Sequence, residues 1–241
     1  MRYQRGDRGR GVQLVQEWLC LRGVGVLIDR RFGAATEHAV RIFQHSQNLP
    51  ATGVVDDTTW EALIAPQRTA TAAVPAAGKR LSEAVLMCAE RHLSANAREV
   101  GGQNRGPWVR LYMDDQDGRP FQWCAGFATY CLHQAAASLG VAPPLPRIFG
   151  VPRLVRVAKS KKRFLAKPSA AERKKIVPGS FFVVRGGRHG WRHVGIVTSV
   201  KGEIFTSIEG NSNDDLQTNS YEVCRRIRSY EFETKDFIPV D

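Results

Sequence analysis

Apolar positions in the first third of the chain recur at helical spacing. Val12, Val15, Trp18 and Leu19 form one stripe, which Gly23 and Gly25 interrupt. Thr36, Ala39, Val40 and Phe43 repeat the i, i+3, i+4, i+7 spacing of a second helix. Leu49-Pro50 and Thr52-Gly53 mark a turn, and Thr58 with Glu61 fits a capping box opening a third helix that carries Trp60 and Leu63. Residues 1–67 therefore read as a small three-helix domain. Residues 68–79, rich in Ala and Thr around Pro75 and without an apolar period, read as a flexible tether.

A helix is expected over residues 82–93, with Leu81, Val85, Leu86 and Ala89 inward and Cys88 in the core. After a Gly-rich loop at 101–106, another runs over 124–139, where Phe127, Ala128, Cys131, Leu132 and Ala135 make an apolar face. Beyond Pro168 the period shortens to two. Strands are predicted at 180–184, at 193–200 with Val194, Ile196, Thr198 and Val200 on one face, at 203–209 after a turn at Gly202, and at 229–237. Helices followed by antiparallel strands give residues 80–241 an α+β fold.

Composition narrows the classes. In 241 residues, 43% of them apolar, there is enough material for packed cores, and no apolar run approaches a membrane span. The basic first ten residues are not followed by an apolar h-region, so no secretory signal is visible. Synthesis in the cytoplasm, with later release or export, is the expectation. Five irregularly spaced cysteines argue against a disulfide framework. Cys124 and Cys131 lie two helical turns apart, roughly 10 Å along the axis, beyond the roughly 7 Å that a disulfide spans.

The net charge of +12 is uneven: residues 1–67 carry eight Lys and Arg against seven Asp and Glu, whereas the excess gathers between Arg153 and Lys175. Such a segment either attracts polyanions or is a solvated surface. It lacks the interleaved aromatics of a nucleic-acid site, so no specific nucleic-acid partner is expected, and the chain is expected to be a monomer.

Candidate chemistry centres on Cys124, placed in the first turn of the 124–139 helix. Unpaired N–H groups and the helix dipole favour an anion there, and the thiolate is the nucleophilic form of cysteine. A nucleophile of this kind needs a base and a group to orient that base. His193 opens one predicted strand, and Glu209 and Asn211 close the next. A plain two-residue turn at Lys201-Gly202 would pair His193 with Gly210 and put Glu209 on the opposite face. A three-residue turn or a bulge pairs His193 with Asn211 and puts all three on one face, and this odd register is the prediction.

Gln122, Trp123 and Trp191 flank the proposed site as candidate substrate walls, packing being the alternative for the aromatics. His189 is a weaker candidate base. His189 with His193 has the spacing of a zinc half-site, but no Cys pair completes it. Asp115 and Asp117 hint at a calcium loop whose twelfth position is Cys124, not an acid. No metal or cofactor is expected.

Residues Gly11, Val12, Leu14, Gln16, Leu19, Asp29, Phe32, Gly33, Thr36, Ala39, Val40, Phe43, Gln44, Thr52-Gly53-Val54-Val55-Asp56, Thr59-Trp60 and Leu63 resemble the peptidoglycan-binding domain of bacterial and phage wall hydrolases. Arg30 departs from it, where that family usually has Gly. Residues Trp123-Cys124-Ala125-Gly126-Phe127, Pro178-Gly179, His193-Val194-Gly195-Ile196-Val197 and Glu209-Gly210-Asn211 resemble the CHAP family of papain-like cysteine amidohydrolases and peptidases. Ser180 departs, where Asp often follows Pro-Gly. The resemblances imply a peptidoglycan hydrolase such as an endolysin or an antibacterial effector. It would cleave an amide of the stem peptide or the muramic acid–L-alanine bond. Cys124 would attack, His193 act as base, and Glu209 with Asn211 orient the imidazole. The Cys124 N–H would serve an oxyanion hole, and peptidoglycan is the expected partner. A catalytically idle wall anchor is the alternative.

Overall fold

The structure is a computed structural model that describes residues 2–186, 190–212, 221–229 and 235–241. The first domain packs α1 (Arg10–Leu21), α2 (Ala34–Ser46) and α3 (Asp57–Thr71) around Val12, Val15, Leu19, Val40, Phe43 and Leu63. Its turns are tied down by two buried glutamines. Gln16 donates to Asp29 Oδ1 at 2.8 Å and to Thr36 Oγ1 at 3.1 Å, and its Oε1 accepts from the Arg30 N–H. Gln44 does the same for the second turn, through Thr52, Val54, Thr59 and the Gly53 N–H. Arg30 sits at φ 66, the left-handed conformation that glycine adopts most cheaply, so an Arg takes the glycine's geometry in that turn. The cap of α3 is Asp56, which accepts from the Thr59 N–H, and Thr58 lies inside the helix.

The segment expected to be a flexible tether is packed. The third helix continues to Thr71, and Ala70, Val74 and Ala76 are buried. The carbonyls of Ala72 and Ala73 accept from Arg91, the Ala70 carbonyl accepts from Gln134, and the Val74 N–H donates to Ser138. Backbone hydrogen bonds, invisible in composition, turn an Ala/Thr/Pro stretch into a strap. The two domains also share a core, in which Trp18 meets Trp108 edge-on with centroids 6.0 Å apart.

The second domain contains α4 (Leu81–Ser94), α5 (Pro107–Tyr112), α6 (Cys124–Leu139), α7 (Val151–Ser160) and the short α8 (Ala170–Arg173). Its strands are β1 (Phe181–Arg185), β2 (Trp191–Lys201), β3 (Ile204–Ser212), β4 (Glu222–Ser229) and β5 (Lys235–Ile238). They form one antiparallel sheet in the order β4-β3-β2-β1-β5. The fold is α+β. The single expected last strand at 229–237 is two strands on opposite edges of the sheet, β4 ending at Ser229 and β5 beginning at Lys235.

Both sheet faces are covered. Helices pack on the face of Phe181, Val183, Val194, Ile196 and Ile208, while Phe182, Val184, Val197, Phe205 and Phe237 form a second core on the other. The basic run begins in α7, which buries Val151, Leu154, Val155 and Ala158 and turns Arg153, Arg156 and Lys159 outward, and continues mostly beyond that helix. No described helix is long and apolar enough to cross a membrane.

Candidate active site

Cys124 is the first residue of α6, after Trp123 at the N-cap position, so its N–H belongs to the first turn, which lacks intrahelical acceptors. Close packing fixes that helix. A side chain at Gly126 would meet the Tyr112 carbonyl oxygen at 2.5 Å, and one at Gly210 would meet Phe127 at 2.7 Å, so α6 lies directly against α5 and β3.

The odd register between β2 and β3 is present, though a bulge makes it. The turn is the two-residue Gly202-Glu203, with Lys201 opposite Ile204 and Gly202 at φ 58. The register then shifts between Val197 and Ser199, leaving Thr198 as the extra residue. This is why Val200, expected to share a buried face with Val194 and Ile196, is 37% exposed. Beyond the bulge Ile196 faces Ile208. Continued in step, His193 faces Asn211 and Gly195 faces Glu209, which makes His193 and Glu209 diagonal neighbours on one face. Gly195 supplies the room: a Cβ there would meet Glu209 Cγ at 2.7 Å and Phe182 at 2.6 Å.

His193 Nε2 lies 2.8 Å from Glu209 Oε2. An ionised carboxylate only accepts, so Nε2 carries the proton, and in the neutral ring Nδ1 is left as the acceptor. Cys124 lies near enough to the same imidazole to act on its ionisation. Burial by itself would lower the His193 pKa. Hydrogen bonds to Cys124 and Glu209, with their negative charge, outweigh it and raise the imidazole from 6.5 to about 9.

Glu209 is fully buried, and burial pushes its carboxyl upward. Hydrogen bonds and charge from His193 and Arg228 win, holding it well below the carboxylate range. Arg228 Nε donates to Oε1 at 2.8 Å and Nη2 to Oε2 at 2.6 Å, while Ser207 donates to Oε1 at 2.7 Å. Arg228 has no counterpart in the sequence reading, because its strand was not foreseen.

Asn211 has partners of its own. Its backbone is left-handed at φ 52, where the β3–β4 register also shifts. Its amide donates to Asn104 Oδ1 at 3.2 Å and to Glu99 Oε1 at 3.4 Å, while the imidazole is held by Glu209. Trp123 is also no wall of a groove. It is fully buried, stacks on Tyr112 with centroids 5.4 Å apart, and donates from Nε1 to Glu99 Oε1 at 2.8 Å. Glu99, unsuspected from sequence, thus joins the neighbour of Cys124 to Asn211. Burial raises its pKa against the donors that surround it.

Cys124 opens onto a groove of about 470 Å³ that Gln122, Phe121, Phe149, Pro152, Trp191 and Arg192 help to line. Gln122 and Trp191 therefore do line the groove.

Asp117 Oδ2, in the suspected calcium loop, accepts from the Arg110 guanidinium at 2.5 Å and from the Gly106 N–H at 3.3 Å. Among the described residues no cluster of three His, Cys, Asp or Glu could hold a metal ion. His189, with its zinc and base alternatives, lies outside the described residues.

Residues 8–63 match the family model of a putative peptidoglycan binding domain, and residues 115–211 match that of the CHAP domain. Together the two matches take in parts of both domains. The matched segments contain Cys124, His193 and Glu209, but leave out Glu99 and Arg228.

Three solved structures are similar over part of the length. The SleB N-terminal domain is 32% identical over 27% of this chain and 90% of its own, with a TM-score of 0.26. A fused Zn-dependent amidase/peptidase/peptidoglycan-binding domain-containing protein from Clostridium acetobutylicum ATCC 824 is 33% identical over 26% of this chain and 28% of its own, TM-score 0.26. The Burkholderia AP3 phage endolysin is 28% identical over 44% of this chain and 41% of its own, TM-score 0.26. The chain thus spans under half the length of the last two, and none of these superpositions carries an argument about the whole molecule. No curated protein matches. The paired family matches support a peptidoglycan hydrolase.

Proposed function

We propose that the chain cleaves an amide bond of peptidoglycan, in the stem peptide or between muramic acid and L-alanine, through a Cys124 thioester. The observation that carries this reading is the line Cys124–His193–Glu209–Arg228 ending at an open groove. His193 Nδ1 takes the thiol proton, and the sulfur attacks the amide carbonyl carbon. The N–H of Cys124, in the first turn of α6, faces the oxygen as it gains charge. The imidazolium then gives its proton to the leaving nitrogen, the C–N bond breaks, and a thioester remains. Water, deprotonated by His193, attacks the thioester and restores the thiol. Glu209 keeps Nε2 protonated and Nδ1 turned to the sulfur, and Arg228 keeps Glu209 ionised. Asn211 supports the site at one remove, through Glu99 and Asn104.

The groove favours the peptide portion of the substrate. Lys159 Nζ sits 4.6 Å from the Trp191 ring centre and the Arg185 guanidinium 5.8 Å from it, so the indole is already engaged by cations and is a poor platform for a sugar. The first domain, residues 1–67, holds residues 80–241 at the wall, where the protein acts after release or export.

Digestion of purified sacculi by wild type and by Cys124→Ala, read by mass spectrometry of the released fragments, tests this. The wild type is expected to create new amide-derived termini that name the bond, and Cys124→Ala to create none, a loss of at least about a thousandfold, while still pelleting with the wall. Undiminished clearing by Cys124→Ala refutes the thiol mechanism. Pelleting without any cleavage by wild type points to an anchoring protein.

A further inference from the structure

Trp191 lines the groove, and the acceptor of its indole N–H lies outside both matched segments. Asp236 is on β5, opposite Val183 of β1, and its side chain is fully buried. Buried carboxylates persist where donors surround them, and here the donors divide by oxygen. Oδ1 accepts from Arg185 Nη2 at 2.7 Å, from Arg185 Nε at 3.2 Å and from the Lys167 N–H at 3.0 Å. Oδ2 accepts from the Trp191 indole N–H at 2.7 Å. One oxygen is thereby anchored to β1 and to the loop after α7, and the other is presented to the ring that lines the groove. Phe164 meets the same indole edge-on at 5.8 Å, and the cations of Lys159 and Arg185 lie over it.

We propose that Asp236 is a positioning residue for the reaction, setting the groove wall by holding the indole N–H of Trp191. The inference rests on the reading of this groove as the substrate site. An acid that served only to tie β5 to β1 through Arg185 would need no bond to Trp191, and its loss would lower stability without changing how substrate is held. The indole bond makes a different prediction, because Phe at position 191 keeps the apolar wall and removes only the N–H and part of the ring.

The test measures kcat, KM and Tm for Trp191→Phe, Asp236→Asn and the double variant of the full chain, on soluble muropeptides released from sacculi. Each single change is expected to raise KM by about three- to tenfold, the worth of one hydrogen bond, with kcat within about twofold. The double variant is expected to raise KM no further than the worse single one, since both changes break the same link. Multiplying KM effects, or a normal KM in Asp236→Asn with only Tm lowered, overturns the inference. Should Asp236→Asn not fold, Trp191→Phe still decides, because an unchanged KM at a normal Tm overturns it. Trp191→Ala with wild-type KM sinks the substrate-groove reading itself and the inference with it. A wild type inert on muropeptides and sacculi alike marks failure of the hydrolase reading.

Discussion

Two glutamates in this molecule are buried to the same degree and paired to arginine in the same way, yet they do different things. Glu17 on α1 is 1% exposed and meets Arg110 of α5, which it shares with Asp117. Gln13 also reaches it, its amide donating to Oε1 at 2.8 Å. Glu209 on β3 is fully buried and meets Arg228 and the Ser207 hydroxyl, but it also holds an imidazole beside Cys124. Burial and an arginine therefore do not mark a site. The partner that can exchange a proton does, together with the groove beside it. The first cluster clamps two domains together, and the second holds a base in one tautomer.

The sharpest way to break that contrast is Glu209→Gln. The amide can turn its NH2 toward Nε2 and favour the wrong tautomer, and kcat on soluble muropeptides is expected to fall about 10²- to 10⁴-fold, with KM little changed. A loss under threefold would place Glu209 with Glu17 as a structural acid. Glu17→Gln is expected to do the reverse. Denaturant unfolding should show destabilisation toward the low end of the about 3–5 kcal/mol for breaking a buried pair, softened because Asp117 still meets Arg110. Its kcat on muropeptides should remain within about twofold, since nothing in that cluster reaches the reacting atoms.

A smaller effect tests the second cluster by pH. His193 is raised from 6.5 to about 9, so the stability it contributes is intact below 6.5 and fades as pH climbs through about 9. Glu209 is depressed, so its contribution is present above the ordinary carboxylate range and is lost in acid as pH falls through its lowered value. The stability gap between wild type and His193→Gln, measured by urea titration, should narrow from pH 7 toward pH 9.5. A gap that does not narrow over that interval would contradict the raised imidazole.

Much of this was legible in the chain, and the failures have physical causes. Helical stripes gave α1, α2 and α6, although the first turns of α6 are buried on every side. Cys124, His193 and Glu209 were legible because a helix start and two strand ends are recognisable positions. Strand β4 was not, because its pattern is inverted: Ile227 is 75% exposed while Arg228 turns inward to Glu209. An alternating rule reads Ile227 as the buried side and discards the arginine that the site needs.

The partners of Asn211 were hidden for a related reason. Parity places it beside Glu209, but its positive φ breaks parity and sends the amide to Glu99 and Asn104. The strap at 68–79 and the fully buried Trp123 were missed because their environment comes from distant residues, Arg91, Gln134, Ser138 and Glu99.

The central claim is that Cys124 becomes acylated during turnover. Wild-type protein mixed with muropeptides, quenched in acid within the first turnovers and digested for peptide mapping, should carry a hydroxylamine-labile acyl adduct on the peptide containing Cys124. His193→Ala should carry none. Turnover without an adduct on Cys124, in a variant lacking that thiol, would contradict the account.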